Sequence, residues 1–487
     1  MKLYLCGHAE RYAVEQLQLA LFPDQTMEPV DGPFSGDGAV STLSVGKHWM
    51  TAGAKITLHG KTAYAARRMK AELAGDVPSR RRLLQNAYYA AAMELRQPPS
   101  WGSLSGVRPT KLTTRHLLSG GTEESAERLL KEQYHVLPER RRLCVEASRA
   151  TVKAAGLLEK NDISLYIGIP FCPTRCAYCS FVSAGIEKFR SLLPRFLDAL
   201  EQEIVHVGKL LQDSGKRVRT LYIGGGTPTT LSEEQMKRLM TEIAGNFDLT
   251  GLIEYTVEGG RPDTLSLPKL QTIRALGCDR MSINPQTMND GVLQVIGRCH
   301  TGEATVRAFR DAQKAGFEGI NMDLIAGLPS DTEVSFADSL EQVLALGPTN
   351  ITVHTLALKK GADLFFARET LPTAENVDNM LRLSRQRLRQ AGYTPYYLYR
   401  QKYMSGSFEN IGWCRPGGEC WYNIDIMSEL CSILSFGAGG STKMVEPGTN
   451  HIERVFNLKY PKEYTERPEK CLANQAAFAA FYKNLDL

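Results

Sequence analysis

The stretch Ile163-Ser-Leu-Tyr166-Ile-Gly-Ile-Pro170-Phe-Cys172-Pro-Thr-Arg-Cys176-Ala-Tyr178-Cys179 decides how this chain reads. Ile163–Ile169 is an aliphatic run of strand length, and Pro170, which has no N–H to give a sheet ladder, ends it. Five more short β-branched or aliphatic runs follow, at Thr220–Ile223, Ile253–Val257, Arg280–Ile283, Gly319–Ile325 and Asn350–Thr355. Amphipathic stretches separate them: Phe189–Leu211, Glu233–Ile243, Pro268–Leu276, Thr301–Ala315 and Val334–Leu346. Six β-α units in succession predict an α/β fold with a parallel sheet, curved as a partial (βα)6 TIM-like barrel. In that architecture chemistry sits at the carboxyl ends of the strands.

Outward from this centre the chain is ordinary in composition. Its 487 residues are 43% apolar and 23% charged, which excludes disordered, fibrous and membrane-spanning classes. The net charge of +5 is spread thinly, with only the short Arg80–Arg82 and Arg140–Arg142 runs, so charge does not argue for nucleic acid as a partner. The apolar stretch after Lys2 is too short for a secretion signal, and no segment is long and apolar enough to span a bilayer. A cytoplasmic protein with reduced thiols is expected. Residues 1–155 read as an N-terminal α/β accessory domain: a strand at Leu3–Cys6, then mostly helix, with strong patterns over Arg81–Leu95 and Thr122–Ala154 and a Gly/Pro loop from Trp101 to Pro109. Residues 156–360 are the barrel. Residues 361–487, with a helix at Asn376–Gln390, aromatic strands around Tyr393–Tyr399 and Gly/Pro-rich turns, read as a C-terminal α+β domain.

Eleven cysteines, an odd number, make a poor disulfide set. Three of them, Cys172, Cys176 and Cys179, form a CxxxCxxC loop directly after the first barrel strand. Three clustered thiolates suit a soft or clustered metal. Structural zinc needs a fourth ligand, and Ser180-Phe181 offers neither Cys nor His. Three ligands on a [4Fe–4S] cubane instead leave one iron open. Incidental buried thiols or a zinc knuckle are the alternatives.

This loop resembles the signature of radical S-adenosylmethionine (SAM) enzymes. The resemblance implies that the open iron binds the amino and carboxylate groups of SAM, and that electron transfer cleaves SAM to methionine and a 5′-deoxyadenosyl radical. Other strand ends carry the same likeness. Leu221-Tyr-Ile-Gly224-Gly225-Gly226-Thr227-Pro228 is similar to the family's GGGTP element, which holds the methionyl amino group, and glycine there lets a ligand approach the backbone. Glu258, ending the third strand, matches the family's SAM-contacting glutamate. Gln286 and Asp323 can bond ribose hydroxyls, and Arg298 can pair a carboxylate through its fixed fork. The matching positions in the subfamily around oxygen-independent coproporphyrinogen III oxidase bind SAM, and the implied cofactor contacts are Tyr166, Tyr178, Gly225, Gly226, Thr227, Glu258, Gln286, Arg298 and Asp323. The strings TVE-x-G-RPDT, SINPQTMND, NMDLIAGLP, VHTLAL and YYLYRQK, with Trp101 to Lys111 upstream, identify the chain with coproporphyrinogen dehydrogenase-like proteins of heme biosynthesis.

That group implies oxidative decarboxylation of two coproporphyrinogen III propionates to vinyl groups, a tetrapyrrole substrate and a flavodoxin- or ferredoxin-like electron donor. Arg175, Arg400 and Lys402 are candidate partners for the substrate carboxylates. Two positions depart from the pattern. Phe181 stands where the oxidases carry a further cysteine, and Tyr422, in Pro416-Gly-Gly-Glu-Cys420-Trp-Tyr422-Asn423, stands where relatives have histidine. A heme-binding or heme-trafficking protein, or another tetrapyrrole-directed radical enzyme such as a heme-opening methyltransferase, uses the same core. Cys414 and Cys420 could chelate a second metal, although two ligands are too few. Cys6, Cys144, Cys278, Cys299 and Cys471 read as small buried apolar residues, and His300 and His354 lie near the expected site.

Overall fold

The computed structural model describes residues 1–22, 25, 27–180, 184–357, 362, 371–401, 408–449 and 451–483. The chain divides into two compact units, Met1–Val145 and Glu146–Leu487.

The first unit runs β1 (Lys2–Cys6), α1 (Arg11–Leu21), β2 (Glu28–Val30), β3 (Gly38–Val45), β4 (Trp49–Leu58), β5 (Lys61–Lys70), α2 (Val77–Met93), α3 (Thr110–Leu118) and α4 (Glu123–Tyr134), and α5 (Pro138–Gly156) leads out of it. Its five strands lie in the order β2-β1-β3-β4-β5. The expected mostly helical character after Cys6 is corrected here. In β4, Met50, Ala52, Ala54 and Ile56 alternate inward and are buried with Val14, Leu17 and Leu21 of α1 and Leu83, Ala87 and Tyr88 of α2. The β4–β5 hairpin closes through His59 (φ 49°) and Gly60 (φ 75°), both in the left-handed region that a two-residue hairpin turn requires. The single pattern expected over Thr122–Ala154 is two helices. His135 (φ 57°) ends α4 in a left-handed cap, and Pro138 opens α5.

In the second unit, β6 (Asp162–Ile169) leads into a two-residue bridge between β7 (Phe171–Cys172) and β8 (Ala184–Gly185) and then α6 (Ile186–Phe189) and α7 (Leu193–Ser214). There follow β9 (Arg217–Gly225), α8 (Glu233–Asn246), β10 (Glu254–Glu258), α9 (Leu267–Ala275), β11 (Arg280–Ser282), α10 (Asp290–Val295), α11 (Gly302–Lys314), β12 (Gly319–Ala326), α12 (Glu333–Leu346) and β13 (Asn350–Thr355). Strands β6, β9, β10, β11, β12 and β13 are neighbours in chain order and all parallel, the expected partial (βα)6 barrel. Seven of the eight residues of β6 are buried, on both faces of the strand, as a strand covered by helices on one face and filled on the other demands.

An open half-barrel leaves two unpaired edges, which proteins cover. The remaining chain does so: α13 (Ala374–Gln390), β14 (Thr394–Arg400), β15 (Glu409–Cys414), α14 (Trp421–Ser428), β16 (Ser432–Gly437), β17 (Ser441–Val445), β18 (Ile452–Phe456), α15 (Pro461–Glu466) and α16 (Pro468–Lys483). Strand β15 pairs antiparallel with β13, and β16 pairs parallel with β6, giving one eleven-stranded sheet. Residues 361–487, set apart as a domain from sequence, therefore contribute strands to the barrel's own sheet within one compact unit. Glu203 of α7, 2% exposed, ties this segment down: it accepts from the Gly437 N–H (2.8 Å), Asn457 Nδ2 (2.9 Å) and the Tyr464 hydroxyl (2.5 Å) and also bonds Gln475.

Candidate active site

At the carboxyl ends of β6 and β9 to β13 lies a cavity of about 400 Å³ lined by Cys172, Cys176 and Cys179, within the size range of ligand sites. The cysteine loop is shaped by its backbone. Thr227 N–H donates to Phe171 O (2.7 Å), Ala177 N–H to Ile296 O (3.0 Å) and Cys179 N–H to Cys176 O (3.0 Å), and Thr174 Oγ1 bonds Gly297 O (3.0 Å). Gly225 and Gly226 bring β9 against this loop: a Cβ on Gly226 would stand 2.6 Å from Phe171 O and 2.9 Å from Cys172 Sγ. Thr227 Oγ1 lies 3.5 Å from Cys172 Sγ. Among the described residues no three Cys, His, Asp or Glu side chains converge tightly enough to hold a single metal ion; the three thiols line the cavity wall.

The rest of the lining is largely polar. Burial and the neighbouring Asp323 charge push the Glu258 carboxyl up to about 8, with the Gly225 N–H and Arg298 drawing it partly back. Burial also works against the Asp323 charge, but His354, whose Nε2 lies 3.6 Å away, and the Asn321 amide (2.8 Å) hold Asp323 below its usual value. Arg298 is buried, donates to Asn284 O (2.5 Å) and the Tyr178 hydroxyl (3.1 Å) and faces Cys176, while its Nε has no partner. Gln286 is a non-glycine residue at φ 70°, a conformation costing on the order of 1 kcal/mol or more. Its N–H to Asp323 O (2.8 Å) and its carbonyl from Ile325 N–H (2.9 Å) keep it there.

All the sequence-derived cofactor residues except Tyr166 line this one cavity. Tyr166 is set in a buried stack with Tyr222 (ring centroids 6.1 Å apart) and Tyr422 (6.2 Å), and it is Tyr222 that reaches the wall. Tyr222, Arg261, Asn284, Tyr397, Tyr399 and Asn423 also line the cavity and were not assigned from sequence, although most lie at strand ends where such residues are expected, and of the two histidines expected near the site His354 lines the cavity and His300 does not. Of the candidate carboxylate partners, Arg175 is exposed and Arg400 is buried beside Glu409, its guanidinium lowered to about 10 by burial; neither lines the cavity. Lys402 and Phe181 lie outside the described residues. Cys414 and Cys420 are buried in one cluster of apolar side chains, Cys420 Sγ bonding Glu254 (3.2 Å), and burial pushes the Cys414 thiol up to about 12. Cys144, Cys278 and Cys471 are buried as expected, whereas Cys6 and Cys299 are exposed.

The donor set fits an iron–sulfur cluster with an organic ligand beside it. Three soft thiols share a wall with a glycine cradle too tight for a side chain, an unpartnered buried guanidinium nitrogen and a carboxyl whose ionised form is disfavoured by burial.

A family model described as "Radical SAM superfamily" matches residues 166–343. The oxygen-independent coproporphyrinogen-III oxidase-like protein HemZ of Bacillus subtilis is 40% identical over 76% of this chain and 75% of its own length. The heme chaperone HemW of the same organism is 32% identical over 61% of this chain and 77% of its own. The solved structure of coproporphyrinogen III oxidase HemN from Escherichia coli, a radical SAM enzyme, is 27% identical with a TM-score of 0.54, over 66% of this chain and 73% of that one. The fold and the three-thiol cavity are those of the radical SAM class, whose cofactors are a [4Fe–4S] cluster and SAM. Within it the chain belongs to the group that includes HemN, HemZ and HemW. Among the described residues no helix is long and apolar enough to cross a membrane.

Proposed function

We propose that this protein oxidatively decarboxylates propionate side chains of coproporphyrinogen III to vinyl groups. Cys172, Cys176 and Cys179 would hold the cluster, and Gly225, Gly226, Thr227, Glu258, Gln286, Arg298 and Asp323 would seat SAM. The observation that carries the reading is the cavity wall. Its lining combines three thiols and two carboxyls, suited to a cationic cofactor on a cluster. The same lining includes the rings of Tyr222, Tyr397 and Tyr399, with Asn410, Asn423 and Gln401 as polar contacts, which suits a flat macrocycle bearing polar arms. The 40% identity to a coproporphyrinogen-III oxidase-like protein supports the same substrate.

SAM bound at the cluster supplies the hydrogen-abstracting chemistry. Each propionate that becomes a vinyl group releases CO₂, a proton and two electrons, which bound SAM together with an external acceptor would take up. The chain's own part is positional. Arg298, fixed by Asn284 O and Tyr178, presents its fork to a carboxylate, and Asp323, oriented by Asn321 and His354, presents acceptors to hydroxyls. A reductant of flavodoxin or ferredoxin type completes the scheme.

Reconstituted protein incubated anaerobically with reductant, SAM and coproporphyrinogen III is expected to yield a product lighter by two CO₂ and four hydrogens, read by mass spectrometry. An unchanged substrate mass, with tight heme binding, would instead support the heme-trafficking reading that the HemW relatives motivate.

The raised Glu258 carboxyl makes a second prediction. Below about 8 the neutral form dominates in the empty cavity, and a cation at Glu258 selects the ionised form. SAM binding should therefore release a proton at pH 7, and affinity should rise with pH, by up to about tenfold per unit, until it levels above the shifted value. Calorimetry in buffers of differing ionisation enthalpy measures this, and binding without proton release removes Glu258 from the cation site.

A further inference from the structure

Strands β3, β4 and β5 build a surface with no part in the chemistry above. From Gly38 to Ala71 the sequence carries Lys47, Lys55, Lys61, Arg67, Arg68 and Lys70 and neither Asp nor Glu, so this hairpin region alone exceeds the whole chain's net charge of +5. The charge that looks thin over 487 residues is concentrated on one sheet. Helices α1 and α2 cover one face of that sheet through the inward residues of β4. The other face is open: Trp49 is 45% exposed and Tyr64 67%.

Register places these side chains together. Lys55 of β4 pairs with Tyr64 of β5, Thr51 with Arg68, Gly53 with Ala66 and Trp49 with Lys70, all on the uncovered face. The Arg68 guanidinium lies 4.7 Å from the Trp49 ring centroid, and the Lys55 ammonium 5.5 Å from that of Tyr64. Each exposed ring thus has a cation beside it. Acids lie only at the margins, with Glu72 past the end of β5 paired to Lys70 (3.6 Å), Asp37 before β3 accepting from the His59 N–H at the hairpin turn (3.1 Å) and Glu28 on the far strand β2. Cations on β5 also guard a free sheet edge, but edge protection needs neither exposed aromatic rings on the open face nor a stretch free of acids.

We propose that this face binds single-stranded nucleic acid, its bases stacking on Trp49 and Tyr64 and its phosphates meeting Lys55, Arg68 and Lys70. Alternating flat rings and cations at sheet spacing is the arrangement that single strands use without sequence readout, since every base has a stackable face and every nucleotide a phosphate. The expectation from overall charge is revised accordingly, and the inference is independent of the proposed reaction.

The test uses the full-length protein and fluorescently labelled unstructured twelve-nucleotide RNA and DNA, read by anisotropy. With about three phosphates neutralised, binding should weaken roughly twentyfold between 50 and 200 mM salt. Trp49→Ala should weaken it about fivefold or more through lost stacking. Ala66→Glu, which places an acid between Tyr64 and Arg68 without removing a ring, should weaken it comparably, while both variants keep wild-type melting temperature. Preference for RNA or for DNA identifies the natural strand. Absence of binding at 50 mM salt, affinity unmoved by both variants, or binding that Trp49→Ala spares and heparin or duplex DNA matches overturns the proposal, the last because it reports only polyanion attraction.

Discussion

Cys176→Ala is expected to yield a folded but colourless protein: anaerobic reconstitution with iron and sulfide should leave no broad visible absorption of thiolate-held iron, and reductive cleavage of SAM should fall to background. The loop's fold is separable from its ligands. The loop's shape comes from main-chain bonds, Ala177 N–H to Ile296 O, Cys179 N–H to Cys176 O and Ala184 N–H to Pro170 O, and from Arg261, which donates to Thr174 Oγ1 (2.9 Å) while pairing with Asp263 (2.8 Å). None of these uses the Cys176 side chain, which is only half-buried, so truncating it should cost under about 1 kcal/mol of stability. Two thiolates cannot stand in for three on a cubane with an open iron. Cys299→Ala is the matched control. Cys299 is exposed and follows Gly297, whose carbonyl accepts from Thr174, so it is next to the same loop without lining the cavity, and its loss should leave the colour intact. A coloured, SAM-cleaving Cys176→Ala protein would sink the ligand assignment.

The barrel and its thiol loop were legible because their signals are local. Aliphatic strand runs, helix periodicity and the CxxxCxxC spacing each lie within one short window, and the observed strands begin or end within three residues of the expected ones. What failed depended on partners distant in sequence. Strand β5, Lys-Thr-Ala-Tyr-Ala-Ala-Arg-Arg-Met-Lys, is made largely of good helix formers, and only its pairing with β4 makes it a strand. Tyr166 and Tyr222 occupy paired positions on adjacent strands, so sequence could not say which ring reaches the cavity. Arg400 alternates with Tyr399 along β14: Tyr399 lines the cavity, and Arg400 is buried near Glu409. The eleven-stranded sheet was hidden for a related reason. Nothing local to Ser432–Gly437 says that it will pair with β6, some 270 residues earlier.

Glu254→Ala should lower stability by roughly 3 kcal/mol or more, read as a melting temperature several degrees below wild type. Glu254 opens β10, four residues before Glu258 and on the opposite end of the strand from the cavity, and is 2% exposed. Its carboxylate accepts from the Trp421 N–H (2.8 Å) and the Tyr422 N–H (3.0 Å), and Arg280 lies 3.5 Å away. These are the first N–H groups of α14, whose N-cap residue Cys420 makes no capping bond with its side chain, so a carboxylate from a different strand does the capping. Alanine would strand two buried donors and the Arg280 charge together, and that is why the loss should exceed an ordinary cap deletion. The effect should also reach the cavity. Helix α14 carries Asn423 and Met427, which line it, and Tyr422, whose ring stacks 4.5 Å from Tyr222. A loosened α14 should raise KM for the proposed tetrapyrrole substrate more than it lowers kcat, leaving SAM cleavage near wild type because the thiol loop belongs to other elements. Glu254→Gln, which keeps an acceptor oxygen for one of the two N–H groups, should recover about half of the lost stability. If Glu254→Ala melts with wild type, or if Glu254→Gln is as damaging as alanine, the carboxylate is not what docks α14 against the barrel.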